Sequence, residues 1–178
     1  MKAGTRQIMR RRRALLLGLA AGLGACNFRP MLLAKAGDDA TVRAELAAIE
    51  VRVRGGRLDY LVRNALFDQL NPTSANVPER YTLIVQVRSR ARALGIQLDN
   101  TITRFNLTVT APFELREKGE NLVLVDSSVE GVSSYNVSRE PYADLIASQT
   151  AERRAAELVA RNIGTLLGAY FARQAPVT

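Results

Sequence analysis

Histidine is absent from all 178 residues, and cysteine occurs once, at position 26. A single cysteine closes no disulfide within the chain. Zinc sites built on cysteine and histidine need more than one thiol. Mechanisms that rely on an imidazole, Ser-His-Asp or Cys-His, are excluded in the same way. No Gly-x-Ser-x-Gly elbow, phosphate-binding loop or metal motif occurs. Internal repeats are missing too. Only the 17 carboxylates could serve an acid-base enzyme. Those at Glu117 and Glu120 flank an expected hairpin turn, where solvation is the simpler reading. The chain is therefore read as a non-enzyme without metal or cofactor.

Long apolar runs are scarce as well. Residues 14–25 read ALLLGLAAGLGA, a run of twelve. A membrane-spanning helix needs about 20. The run follows a basic stretch holding Lys2, Arg6 and Arg10 to Arg13, with no acid before Cys26. A basic start, a short apolar stretch and small residues at its end form the pattern of an export signal. Arg12-Arg13-Ala14-Leu15-Leu16 also has a loose likeness to a twin-arginine signal, so the export route stays open.

The formal charge of +8 looks at first like a nucleic-acid binder's. Six of the 25 cations lie in the leader. What remains is 19 cations against 17 acids, a net of +2. A polyanion-binding domain keeps its basic excess in the folded part. Nucleic acid is therefore not an expected partner.

Leu23-Gly24-Ala25-Cys26 resembles the bacterial lipobox: an aliphatic residue, two small ones, then cysteine. Cleavage before Cys26 would free its amine, and its sulfur would accept diacylglycerol. One acyl chain holds a protein to a membrane marginally, whereas two or more hold it stably. An ordinary secretory signal followed by an incidental cysteine is the plainer alternative.

Past the leader, residues 26–44 read as a tether, because Pro30, Gly37, Asp38 and Asp39 break any period. Ile49, Val51 and Val53 alternate with Glu50, Arg52 and Arg54, which predicts a half-buried strand. Leu58, Leu61, Val62, Ala65, Leu66 and Leu70 recur at helical spacing, and Asn71-Pro72 ends that helix. Leu83, Val85 and Val87 alternate with Ile84, Gln86 and Arg88 in a second strand. The third has Phe105, Leu107, Val109, Ala111, Phe113 and Leu115 on one face. Pro112 within it suggests an edge or a bulge. Gly119 supplies a positive φ in the turn at 117–120, and a fourth strand covers 122–135. Ser138 precedes a last helix. Ala155, Leu158, Val159, Ile163, Leu166, Leu167, Tyr170 and Phe171 form its apolar stripe. The expected fold is α+β, in the order β-α-β-β-β-α. Two helices should pack on one face of a four-stranded sheet. The expected divisions are a cleaved leader at 1–25, a lipidated tether at 26–44 and a domain at 45–173.

If odd residues face the helices, even ones face outward. Arg52 and Arg54 then share the open face with Arg88, Arg90 and Arg92, which recur at every second position. Arg104, at the start of the third strand, joins them. Guanidinium forks donate paired hydrogen bonds that suit phosphate oxygens. A solvated sheet face, or one meeting a partner protein, is the alternative.

Nearly all of residues 26–172 resembles the LPS-assembly lipoprotein family, LptE, and the C-terminal region resembles especially its alphaproteobacterial members. Cys26 is followed by Asn27-Phe28-Arg29-Pro30, similar to the family's Cys-Gly-Phe-x-Pro start, with Asn27 in place of glycine. The element order is similar to the family fold. Ser133-Ser134-Tyr135-Asn136 leading to Ala151-Glu152-Arg153-Arg154-Ala155-Ala156 looks like the family's C-terminal region. The resemblance implies an outer-membrane lipoprotein, anchored through Cys26 and facing the periplasm. It would sit as a plug in the lumen of an LptD-like β-barrel and take part in lipopolysaccharide insertion. The phosphates of lipid A would then suit the arginine stripe. An accessory lipoprotein of another envelope lipid-transport system is the alternative function.

Overall fold

The computed structural model describes residues 36–96, 102–120, 122–138 and 140–174. The leader, Leu23, Gly24, Ala25 and Cys26 lie outside the described residues.

Alternation in sequence becomes alternation in burial. On β4 (Ile102–Glu117), Leu107, Val109, Ala111, Phe113 and Leu115 are buried. Asn106, Thr108, Thr110, Pro112 and Glu114 between them are only partly covered. Successive side chains of a strand point to opposite faces, so β4 has one dry face and one wet face. Full burial of each larger apolar side chain stabilises by roughly 1.5–3 kcal/mol. β5 (Val123–Asn136) pairs antiparallel with β4, Ala111 opposite Val129 and Leu107 opposite Ser133. The turn between them has Gly119 at φ +106°, as its sequence predicts.

The other side of β4 carries β2 (Tyr81–Val85) and then β3 (Arg88–Ile96). Val85 lies opposite Phe113 and Arg88 opposite Thr110, so the two strands keep one register. The gap between them falls at Pro112. Gln86 donates its N–H to the Pro112 carbonyl at 3.0 Å. Proline has no N–H to return, so one bond of the ladder is missing. Pro112 therefore marks neither an edge nor a bulge. It sits in the central strand and divides its neighbour in two.

β1 (Ile49–Val53) runs parallel to β2, Ile49 opposite Tyr81 and Val53 opposite Val85. The sheet thus has five strands rather than four. The order is β1, β2, β4, β3, with β5 on the far side of β4. Since β1 ends level with Val85, the outer edge of β3 has no partner strand among the described residues.

Helix α2 (Arg57–Leu70) crosses from β1 to β2 and buries Val62, Leu66 and Leu70. Its start turns on Gly55, at φ +151°, where a Cβ would strike the Asp59 carboxylate. That carboxylate accepts the Gly56 N–H at 2.9 Å. Beyond its end, the Asn71 side chain exchanges two hydrogen bonds with the Ala75 backbone. Helix α3 (Pro141–Gln174) buries Ala151, Ala155, Ala156, Val159, Ile163, Leu167 and Phe171. Leu166, expected in that stripe, is 42% exposed. The small residues bring α3 close to the sheet. A Cβ on Gly131 of β5 would strike the Ala155 carbonyl oxygen. Ser138 acts ahead of α3, its hydroxyl accepting the Glu140 N–H and its own N–H donating to Asp144.

A third helix, α1 (Ala36–Ala47), precedes β1 and starts in the stretch whose glycine and aspartates argue against a helical period. Glu45 on α1 holds Arg80 at 2.8 Å, and Val42 and Leu46 pack against the core. Nearby, Tyr81 and Phe171 rings meet at 5.2 Å.

The open face of the sheet

Odd-numbered residues of β1, β2 and β4, and of β5 from Val125 onward, face the helices, so even-numbered ones form the opposite face. The pairing carries this parity across the sheet. Arg52 lies opposite Ile84, and Ile84 opposite Glu114. Arg88, Arg90 and Arg92 lie opposite Thr110, Thr108 and Asn106. Arg104, on β4 itself, lies opposite Asn136. The structure therefore places Arg52, Arg88, Arg90, Arg92 and Arg104 on one open face, and all five are exposed. Arg54 is exposed one residue past β1.

Charge is distributed unevenly over this face. On β1 and at the far end of β4 the cations have carboxylate partners. Arg52 makes a two-pronged contact with Glu50 at 2.9 and 3.0 Å. Arg116 holds Glu114, and Lys118 reaches both Glu79 and Glu50. The hydrogen bond from Arg52, then that from Lys118, holds the Glu50 carboxyl below the usual glutamate range. Its partners' pKa values rise in return, Arg52 through Glu50, and Lys118 through Glu79 and then Glu50. Arg52, Thr82, Ile84, Arg116, Glu117 and Lys118 frame a shallow depression there.

Toward β3 the compensation stops. Among the described residues, no carboxylate lies within ion-pair distance of Arg54, Arg88, Arg90, Arg92 or Arg104. The neighbouring column on β4 is neutral: Asn106 accepts the Ser134 hydroxyl at 3.1 Å, and Thr110 donates to Glu130 at 3.1 Å. Strands lie about 4.8 Å apart. Glu130, two strands from Arg88, is thus roughly 10 Å away in strand spacing. Of the six arginines on the predicted stripe, Arg52 is engaged with Glu50, and the other five keep their donors free of carboxylates among the described residues.

Sequence reasoning missed the counter-charges. Glu50 stands two residues before Arg52 and Glu114 two before Arg116. That spacing puts each pair on the same strand face, so the signal was present. Lys118 reaches Glu50 and Glu79 only because the β4–β5 turn folds back beside β1 and β2. That contact is not local in sequence.

The arrangement presents guanidinium donors of a kind that suits anionic oxygens. Among the described residues no group of three or more Cys, Asp or Glu side chains could hold a metal ion. No described helix is long and apolar enough to cross a membrane. The domain is thus α+β, covered by helices on one side and open and arginine-rich on the other.

Residues 41–167 match the lipopolysaccharide-assembly family, LptE, and the chain belongs to that family. It is therefore a lipopolysaccharide-assembly protein of the cell envelope. Among solved structures, it is similar to a candidate lipoprotein from Caulobacter crescentus, with 29% identity and a TM-score of 0.66. That match covers 76% of this chain and 98% of the other. A minor lipoprotein from Acinetobacter baumannii shares the fold at 16% identity and a TM-score of 0.53, covering 68% and 88% of the two chains. The solution structure of lipoprotein B from Nitrosomonas europaea shares it at 10% identity and a TM-score of 0.50, covering 73% and 90%. No curated protein matches the sequence.

Proposed function

We propose that this protein is an outer-membrane lipoprotein that plugs and helps to assemble an LptD-type β-barrel, and that contributes to inserting lipopolysaccharide into the outer leaflet. In this reading residues 1–25 are a cleaved leader. Cys26 is acylated behind Leu23, Gly24 and Ala25, residues 26–44 connect anchor to fold, and 45–173 are the domain. Its work is binding, not catalysis.

Family membership supports the pathway, and the open face carries the reading. A face on which Arg88, Arg90, Arg92 and Arg104 are exposed and have no carboxylate partner among the described residues, set beside neutral Asn106, Thr108 and Thr110, suits a dense array of anionic oxygens. Lipid A presents phosphates in that way. Size supports the plug. The 16 residues of β4 extend roughly 50 Å, more than the ~30 Å hydrocarbon core of a bilayer. A domain stood on end in a barrel lumen would reach through it.

The test is a mild-detergent pull-down of the tagged protein from outer membranes, with mass identification of what remains bound. A stoichiometric large β-barrel is the expected result. A lone lipoprotein, or one bound to another transporter, sinks the plug reading.

A further inference from the structure

We infer that the outer edge of β3 is a docking site for one extended strand of a partner protein that carries carboxylates at alternate positions. The inference goes beyond the anion-binding face. An anion sits above the open face, whereas a strand lies beside β3 in the plane of the sheet.

The hydrogen-bond phase of β3 follows from one contact. Gln86 bonds to Pro112, and the register is unchanged from there to Ala93. In an antiparallel ladder the bonded pairs alternate. Arg88, Arg90 and Arg92 therefore exchange their bonds with Thr110, Thr108 and Asn106 on β4. The N–H and C=O groups of Ser89, Ala91 and Ala93 turn outward. Residues 88–94 are all exposed, and the outward-bonding residues have small side chains. Six residues in unbroken register, ahead of the shifts at Gly95, make a strand of ordinary length.

The described strands leave this edge open. β1 would meet it if it continued, but Gly55 and Gly56 turn the chain into α2. The opposite edge is treated differently, because Asn162 of α3 donates to the Glu130 carbonyl of β5 at 3.0 Å.

Charge selects the occupant. Side chains directly opposite on adjacent strands approach within about 5 Å. A second copy of β3 would bring arginine against arginine, which is destabilising. A strand with glutamate or aspartate at every second position would give Arg88, Arg90 and Arg92 the carboxylates they lack among the described residues.

The probe is a capped nine-residue peptide alternating glutamate and threonine, titrated into the full mature protein in detergent. Its control has the same composition with all the glutamates in one block. The alternating peptide should bind at least about tenfold more tightly than the block peptide. Amide exchange should slow at Ser89, Ala91 and Ala93. Ala91→Pro removes an outward donor but no bond to β4, and it leaves every guanidinium in place. It should weaken binding about tenfold. Arg90→Glu, at an exposed position away from the core, should weaken it similarly. No binding, equal binding by the block peptide, no protection of those three amides, or Arg90→Glu binding like the wild type overturns the inference. So does a folded Ala91→Pro protein that binds unchanged.

Discussion

Asn162 on α3 and Glu130 on β5 are joined by a 3.0 Å hydrogen bond from the side-chain amide to the backbone carbonyl. Glu130 pairs with Thr110 in the phase where its own backbone groups face away from β4. The amide thus covers an outward-facing acceptor on an edge strand of 14 residues. Unpaired edges invite pairing with other chains. Asn162→Ala should destabilise the domain by about 1 kcal/mol, the usual size of one such bond. It should also raise self-association at high concentration. Thermal melts and light scattering check both effects, and a variant indistinguishable from wild type in each would remove the edge-closing role.

Glycine positions offer a paired test of how closely α3 rests on the sheet. A Cβ on Gly131 would strike the Ala155 carbonyl and approach Val159, both on a buried helix. Backbone cannot swing aside as a flexible side chain does. Gly131→Ala should therefore cost about 1–3 kcal/mol. Gly168, in the same helix, has open space around its missing Cβ. Gly168→Ala should stabilise by about 0.5–1 kcal/mol. Denaturant titration of the two variants reads out opposite signs. A neutral Gly131→Ala would mean that helix and sheet are looser than the structure shows.

Legibility follows burial. The third predicted strand is readable because half of its residues meet helices and half meet water, so Phe105 to Leu115 alternate cleanly. The same parity, applied to the bare sequence, puts Arg52, Arg88, Arg90, Arg92 and Arg104 on one face. β3 is not readable as a separate strand. Ser89, Ala91 and Ala93 supply no apolar face, and their extended conformation comes from pairing with β4, a tertiary effect that strand propensity does not capture. Pro112 misleads for a related reason. Its lost donor costs one ladder bond, which two otherwise continuous neighbours absorb. Helix α1 is hidden by Gly37, Asp38 and Asp39, and its Glu45–Arg80 contact spans 35 residues.

Glu50 gives a pH signature. Its carboxyl is held below the usual range by Arg52 first and Lys118 second. A carboxylate with a depressed folded pKa takes up protons more readily in the unfolded chain. Its contribution is complete above the unfolded value and is lost as pH falls through the folded one. Glu50→Gln should therefore lower Tm at neutral pH, and the gap to wild type should close in acid, below the ordinary carboxylate range. A gap that stays constant across that window would falsify the ion-pair account.

The uneven charge of the open face predicts unequal arginines. Arg88→Ala, Arg90→Ala and Arg92→Ala remove guanidinium groups with no carboxylate partner among the described residues. Each should weaken binding to vesicles containing lipid A by several-fold at low salt, and by less as salt screens the contact. Arg52→Ala should matter less, because Glu50 already occupies that fork. Equal losses at Arg52 and Arg90 would place the anion on the depression near Lys118 rather than along β3.

Cys26 carries the last prediction. Its anchoring role rests on the residues before it and on its being the chain's one thiol. If Leu23, Gly24 and Ala25 direct cleavage and acylation, Cys26→Ala should abolish incorporation of labelled palmitate. Expressed without its barrel partner, the variant should leave the membrane fraction. The domain itself should be untouched. Its core lies beyond residue 47 apart from the α1 contacts, so the variant should melt with wild-type Tm. A variant that keeps its palmitate would place acylation elsewhere. One that loses palmitate but stays in the outer membrane when the barrel is present would show that a partner, such as the enclosing barrel, retains it without lipid. Alkaline carbonate washing followed by the same pull-down separates these two results, because stripping peripheral contacts leaves an enclosed plug in place.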